Sequence, residues 1–200
     1  MTTLVTRLAP DFTCAAIRAD GSVDASFTLS HALAGRYGLL FFYPLDFTFV
    51  CPSELIALDR RIDAFRERGV EVIAVSIDSH HVHHAWRDTP VERGGIGPVK
   101  YSIAADIKHE VCRAYGVEHD DGVALRAAFV LDRQRIVRAA IVHDLPIGRD
   151  LDELLRVFDA LSFHERHGEV CPAGWRAGAP GMKADAAGVA AYLAAHGSEL

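Results

Sequence analysis

The run Tyr37–Tyr43 (YGLLFFY), bounded by Gly35 and Pro44, is continuously apolar. A strand with one wet face alternates polar and apolar residues, so a continuous run of this length belongs in a strand covered on both sides. A second buried strand, Val70–Ile77, is rich in β-branched residues. Between them Leu55, Leu58, Ile62 and Phe65 recur at helical spacing, which predicts a helix over residues 52–68. Pro52 suits its first turn and Gly69 its end. Two covered strands joined by a helix form a parallel crossover, and that confines the chain to an α/β architecture.

The alternation continues downstream. A short helix is expected at His80–Asp88, a strand at Ile103–Asp106 and a helix at Ile107–Tyr115, closed by Gly116. Ala127–Leu131 and Ile136–Val142, parted by Asp132-Arg133-Gln134-Arg135, read as a hairpin. A helix then runs from about Asp150 to Phe163, with Leu151, Leu154, Leu155 and Phe158 inward. The sum is an α/β fold with a mixed central β-sheet flanked by helices, compatible with a thioredoxin-like fold. Composition shifts after Phe163: Gly168–Lys183 holds four Gly and two Pro, so it makes a poor core. This suggests a domain over residues 1–163 and an extension over 164–200, the latter closing in a short helix, Ala184–Ala195.

A formal net charge of −6, with no basic run interleaved with aromatics, argues against a nucleic-acid partner. Met1–Pro10 contains one Arg and no continuous apolar stretch, so no signal peptide is expected. The apolar run Leu39–Tyr43 is too short to span a bilayer, so no membrane partner is expected and the cytoplasm is the default compartment. The four cysteines, at 14, 51, 112 and 171, lack both a disulfide framework and zinc-type CxxC spacing. At least one therefore merits testing as a reactive thiol.

Cys51 stands out among them. It falls between a strand and the start of a helix, where unpaired backbone N–H groups and the helix dipole favour a thiolate. A thioredoxin-type dithiol would need its second cysteine at position 54, which is Glu54. Cys14 and Cys112 read instead as small buried hydrophobes. His80, His81, His83 and His84 have helical i, i+4 spacing, but a closed zinc site wants four ligands and no cysteine is near. Solvated or capping histidines are expected, and no metal. The absence of a Gly-rich phosphate loop argues against a nucleotide or flavin cofactor.

Pro44, Thr48 and Cys51 form a PxxxTxxC pattern that resembles the signature of peroxiredoxins. The fuller string FYPLDFTFVCPSE resembles the typical two-cysteine group within the alkyl hydroperoxide reductase and thiol-specific antioxidant family. Similarity extends to LRAAF, carrying Arg126, to PIGR, carrying Arg149, and to EVCPAGW, carrying Cys171. The resemblance implies a thiol-dependent peroxidase of hydrogen peroxide and organic hydroperoxides, serving antioxidant defence. Cys51 would become a sulfenic acid and then form a disulfide with Cys171 of the partner subunit. Thr48 and Arg126 would bond the sulfur and the peroxide, Pro44 would shield the sulfur from water, and Glu54 and Arg149 would hold Arg126. Trp86 would pack near the active-site helix. A dithiol donor such as thioredoxin, or a dedicated flavoprotein reductase, would recycle the disulfide. Homodimers would assemble into decamers. Gly94-Gly95-Ile96-Gly97 and the pair Tyr192-Leu193 resemble segments that govern overoxidation in such proteins.

Elementary chemistry supports the weight placed on Arg126 and Thr48. Moving a thiol's pKa from about 8.5 to about 6 raises its thiolate fraction roughly 30-fold at neutral pH. A Brønsted coefficient of about 0.4–0.5 takes back about 10–18-fold in nucleophilicity. The remaining rate must come from orienting the peroxide and stabilising its leaving oxygen. Two other readings compete: a holdase chaperone whose assembly matters more than turnover, and a disulfide reductase, which Glu54 disfavours.

Overall fold

The computed structural model describes residues 3–199. The two apolar runs become β3 (Tyr37–Phe42) and β4 (Val70–Ser76), paired in parallel from Tyr37–Val70 to Phe42–Val75. On the far side of β4, β5 (Ser102–Ala105) extends the parallel set. On the far side of β3, β6 (Arg126–Leu131) runs antiparallel, and β7 (Val137–His143) pairs antiparallel with β6. Every residue of β3 and β6 is buried, as central strands covered on both faces require. Each large apolar side chain buried here, such as Phe41, Phe42 and Leu40, contributes about 1.5–3 kcal/mol. The mixed sheet expected from the sequence is present.

The apolar pattern does not announce the N-terminal hairpin. β1 (Thr13–Ile17) and β2 (Val23–Thr28) precede a short helix, α1 (Leu29–Leu33). Their sequences, TCAAI and VDASFT, are short and partly exposed. β1 holds its place by pairing with both β2 and β5, the latter through Ala16–Ala104 and Ile17–Ile103. Tertiary pairing overrides weak strand propensity there. The full sheet order is β2-β1-β5-β4-β3-β6-β7.

The helix expected over 52–68 is two helices, α2 (Cys51–Arg60) and α3 (Ile62–Glu67). Arg61 has φ −105° and ψ 4°, and its N–H bonds Leu58 O three residues back, so the path tightens without a proline. α4 (His80–Asp88) matches its expected span, with Ser79 as N-cap accepting from Val82 N. α5 begins later than expected, at Glu110–Tyr115. His109 is left-handed, and Asp106 caps the helix by accepting from Val111 N and Cys112 N.

The chain divides into two compact units at Leu151. The first holds the sheet and α1–α5. In the second, α6 (Leu151–His167) runs past Phe163, and α7 (Ala186–His196) is capped by Asp185 through Gly188 N. Between these helices Val170 and Met182 form an isolated antiparallel bridge. The Trp175 ring is buried, 4.8 Å from that of Phe163.

Candidate active site

Leaving β3, the chain turns through residues 43–50 and enters α2 at Cys51, with Pro52 in the first turn. Pro52 has no N–H, and the N–H groups of Ser53 and Glu54 donate to Val50 O, which leaves the Cys51 N–H as that turn's donor toward the sulfur's surroundings. Cys51 is 0% exposed. Thr48 Oγ1 lies 2.9 Å from Cys51 Sγ and 2.8 Å from Leu45 O. Its single proton can serve only one of them at a time. With a thiol, the S–H donates to Thr48 while Thr48 donates to Leu45. With a thiolate, the Thr48 hydroxyl is free to turn to the sulfur.

Arg126, the first residue of β6, brings its Nη1 within 3.4 Å of the sulfur and donates to Glu54 Oε2 at 2.8 Å. Its Nε donates to Leu145 O at 2.6 Å, which fixes the plane of the guanidinium. Glu54 also receives Arg149: Nε at 2.9 Å and the backbone N–H at 2.8 Å on Oε1, and Nη2 at 3.0 Å on Oε2. Arg149 Nη1 donates to Ala127 O, and its guanidinium lies 3.3 Å from the Phe41 ring centre.

The structure thus gathers Thr48, Cys51, Glu54, Arg126 and Arg149, with Pro44 buried in the same loop. Burial pushes the Glu54 carboxyl up, but the hydrogen bonds and charge of Arg149, with the charge of Arg126, outweigh it and hold the group below the ordinary range. Burial pulls Arg149 down against the pull of Glu54, although a guanidinium keeps its charge in proteins. Two guanidinium groups against one carboxylate leave an enclosed site with excess positive charge. A negative sulfur completes the balance, and so does charge building on a departing oxygen.

Below this loop lies a second polar group that the motif does not mark. Asp46 Oδ1 accepts from Tyr43 OH at 2.6 Å, and Oδ2 lies 2.8 Å from His83 Nδ1. The Asp46 N–H donates to Asp78 Oδ2 at 2.9 Å, and that oxygen also receives Ser76 Oγ at 2.8 Å. Burial pushes the Asp46 carboxyl up, with His83 and Tyr43 opposing. His83 is therefore not the solvated or capping histidine expected from its neighbours; it is fully buried in an acid pair. The available signal was its i, i+3 spacing from Trp86, which marks the inward face of α4. Ligand atoms of Asp46, Asp78 and His83 lie within 4.8 Å of one another. Three ligands fall short of a closed zinc set, and two of them are already bonded to each other. Trp86 packs on the loop itself, its ring 6.0 Å from Tyr43 and 5.8 Å from Phe47.

Cys171 belongs to the second unit. It is half-buried, with Sγ 3.5 Å from Ala160 O. Burial pushes its thiol up, and Arg156 opposes. The two other thiols are poorly placed for nucleophilic work. Burial and the charge of Asp106 push Cys14 up to about 12, although it is only half-buried. Burial and a hydrogen bond to Asp106 push Cys112 up as well.

Comparison with known proteins points to one family. Residues 5–140 match the model of the AhpC/TSA family, and residues 160–195 match that of the C-terminal domain of 1-Cys peroxiredoxin. The alkyl hydroperoxide reductase C of Helicobacter pylori is 54% identical over 190 residues, covering 95% of this chain and 96% of the relative. Peroxiredoxin-1 of Gallus gallus is 46% identical over 178 residues, 88% of each chain. Among solved structures, the reduced 2-Cys peroxiredoxin of Plasmodium vivax superposes with a TM-score of 0.94 at 46% identity, covering 96% of this chain and all of that one.

Proposed function

Because the chain belongs to the AhpC/TSA family and is a peroxiredoxin, a thiol-dependent peroxidase with an antioxidant role and a thioredoxin-like fold, we propose that Cys51 is its nucleophile and Cys171 its resolving thiol. The observation that carries this reading is one buried sulfur at a helix start, within reach of both Thr48 and Arg126. The Cys51 thiolate attacks the nearer oxygen of a hydroperoxide, hydrogen peroxide or organic. An S–O bond forms as the O–O bond breaks, and the departing oxygen leaves as hydroxide or alkoxide and takes a proton. The sulfur is oxidised to sulfenic acid and the peroxide is reduced to water or alcohol.

Arg126 offers its positive fork to the developing oxygen charge, and Thr48 orients the peroxide against the sulfur. Glu54 and Arg149 hold Arg126 at its post, and Pro44 keeps water from the sulfur. Cys171 of the partner subunit then attacks the sulfenic sulfur, forming a disulfide and releasing water. A dithiol donor, thioredoxin or a dedicated flavoprotein reductase, returns both thiols.

A homodimer that assembles to a decamer is supported by two features. The sheet order ends at β7; Thr6 and Arg7 bond its first residue, Val137, and its outer edge beyond Val137 suits pairing with a second copy. Beside the nucleophile, Phe49 is 96% exposed, an apolar surface that suits coverage by another subunit. The cysteine pattern, four thiols without a disulfide framework, supports a cytoplasmic setting. The test is peroxide consumption with a dithiol donor, together with intact mass before and after peroxide without donor. Turnover and a disulfide-linked dimer support the reading. Suppression of aggregation without turnover overturns it in favour of a holdase.

A further inference from the structure

Phe47 sits between Asp46 and Thr48 with φ 54°, in the left-handed region that an aromatic side chain rarely adopts. Such a conformation persists only where its surroundings over-determine it. Here the surroundings are specific. Asp46 is gripped three ways: Tyr43 OH on one carboxylate oxygen, His83 Nδ1 on the other, and Asp78 on its backbone N–H. On the other side of Phe47, Thr48 Oγ1 stands 2.9 Å from the sulfur. A loop that relaxed at Phe47 would swing Thr48 away.

We propose that His83, acting through Asp46, is a positioning residue for the peroxidase reaction: the buried His83–Asp46–Tyr43 clamp holds Phe47 left-handed and thereby sets Thr48 against Cys51. This rests on the reading of Cys51 and Thr48 given above. The hydrogen-bond pattern also assigns the imidazole. His83 Nε2 is buried without a hydrogen-bond partner among the described residues, whereas Nδ1 faces a carboxylate. The proton that matters is therefore on Nδ1. Asparagine places its amide nitrogen near the Nδ1 position, and glutamine places it near Nε2. The two variants thus separate the hydrogen bond to Asp46 from simple filling of space.

The experiment uses the full chain and two reactions of Cys51, with hydrogen peroxide and with iodoacetamide, in His83→Gln, His83→Asn, Thr48→Val and the two double variants. His83→Gln should slow the peroxide reaction by about tenfold or more, since small misplacements near reacting atoms are costly, and slow alkylation much less. His83→Asn should recover most of the loss. In the Thr48→Val background His83→Gln should add less than about threefold, because its effect runs through Thr48. Equal losses for Gln and Asn, or a full further loss in the Thr48→Val background, would reduce His83 to packing and overturn the proposal. Should His83→Gln fail to fold, Tyr43→Phe removes only the hydroxyl on Asp46 Oδ1 and must show the same dependence on Thr48. If Thr48→Val itself leaves the peroxide rate unchanged, the reading of Thr48 fails first, and that result is distinct from a failure of the clamp.

Discussion

Cys51 is enclosed: its sulfur touches Thr48 and Arg126, and Arg126 is in turn bonded to Glu54 and to Leu145 O. Cys171 is half-exposed, its Sγ 3.5 Å from Ala160 O, and the charge of Arg156 acts on it. The segment around it carries Gly168, Gly174 and Gly178 at positive φ, and it is tied by the bridge between Val170 and Met182 and by the buried Trp175, whose carbonyl accepts from Arg156 Nη1. The two halves of the reaction reward these opposite arrangements. Cleaving a peroxide gains from donors that are already in place. Forming a disulfide requires two sulfurs about 2.05 Å apart, and no second thiol reaches an enclosed sulfur without local opening. Segments with few buried contacts open at low free-energy cost. On the reading proposed above, the half-exposed Cys171 is the thiol that travels.

Exchanging either thiol tests the division most severely. Cys51→Ser should abolish peroxide reduction, because a hydroxyl is not ionised at neutral pH; retention of even about a tenth of wild-type turnover would remove Cys51 from its role. Cys171→Ser should instead reduce about one equivalent of peroxide per subunit and then stall with a dithiol donor. On a non-reducing gel, oxidised wild type should run as a dimer and this variant should not. A monomeric band for oxidised wild type would mean an intrachain bridge.

Arg126→Ala probes what the enclosure contributes. Loss of one such donor costs about 10²–10³ in rate where charge develops on a leaving oxygen. Alkylation of Cys51 by a neutral reagent has no leaving oxygen of that kind, so it should fall much less. Stopped-flow rates for the two reactions give the comparison. Equal losses would show that Arg126 acts on the sulfur alone.

How far the sequence led differs along the molecule for physical reasons. The covered strands β3 and β4 were legible because a continuous apolar run has few places to go. The Cys51 motif was legible because its residues are close in sequence. β1 and β2 were not, since short, partly exposed strands take their conformation from their neighbours. The break at Arg61 carried no Gly or Pro to mark it. His83 escaped because its partner, Asp46, is 37 residues away and its neighbours on α4 include three more histidines. Local pattern reveals which face is buried, but it does not reveal which buried groups meet.

Stability probes the two sides through the carboxylates Glu54 and Glu153. Glu54 is held below the ordinary carboxylate range despite burial, whereas in the unfolded chain it titrates near about 4.3. Its contribution to stability is therefore complete above that range and drains away as pH falls through the folded value. Glu54→Gln removes this titration and leaves Arg126 and Arg149 against a neutral acceptor. The variant should be less stable at neutral pH by up to about 3–5 kcal/mol, the cost of breaking a buried pair, and the gap should narrow on acidification. In the unit that holds Cys171, Glu153 is also held low, first by its hydrogen bonds to Arg156, but this pair is partly exposed. Solvent screening limits such pairs to about 0.2–1 kcal/mol, so Glu153→Gln should cost little at neutral pH and show little change in acid. Urea midpoints across the acid range measure both variants. A gap for Glu54→Gln that stays constant with pH would show that its charge does not support the fold. A large, pH-dependent gap for Glu153→Gln would show that the Cys171 side is held as firmly as the Cys51 side.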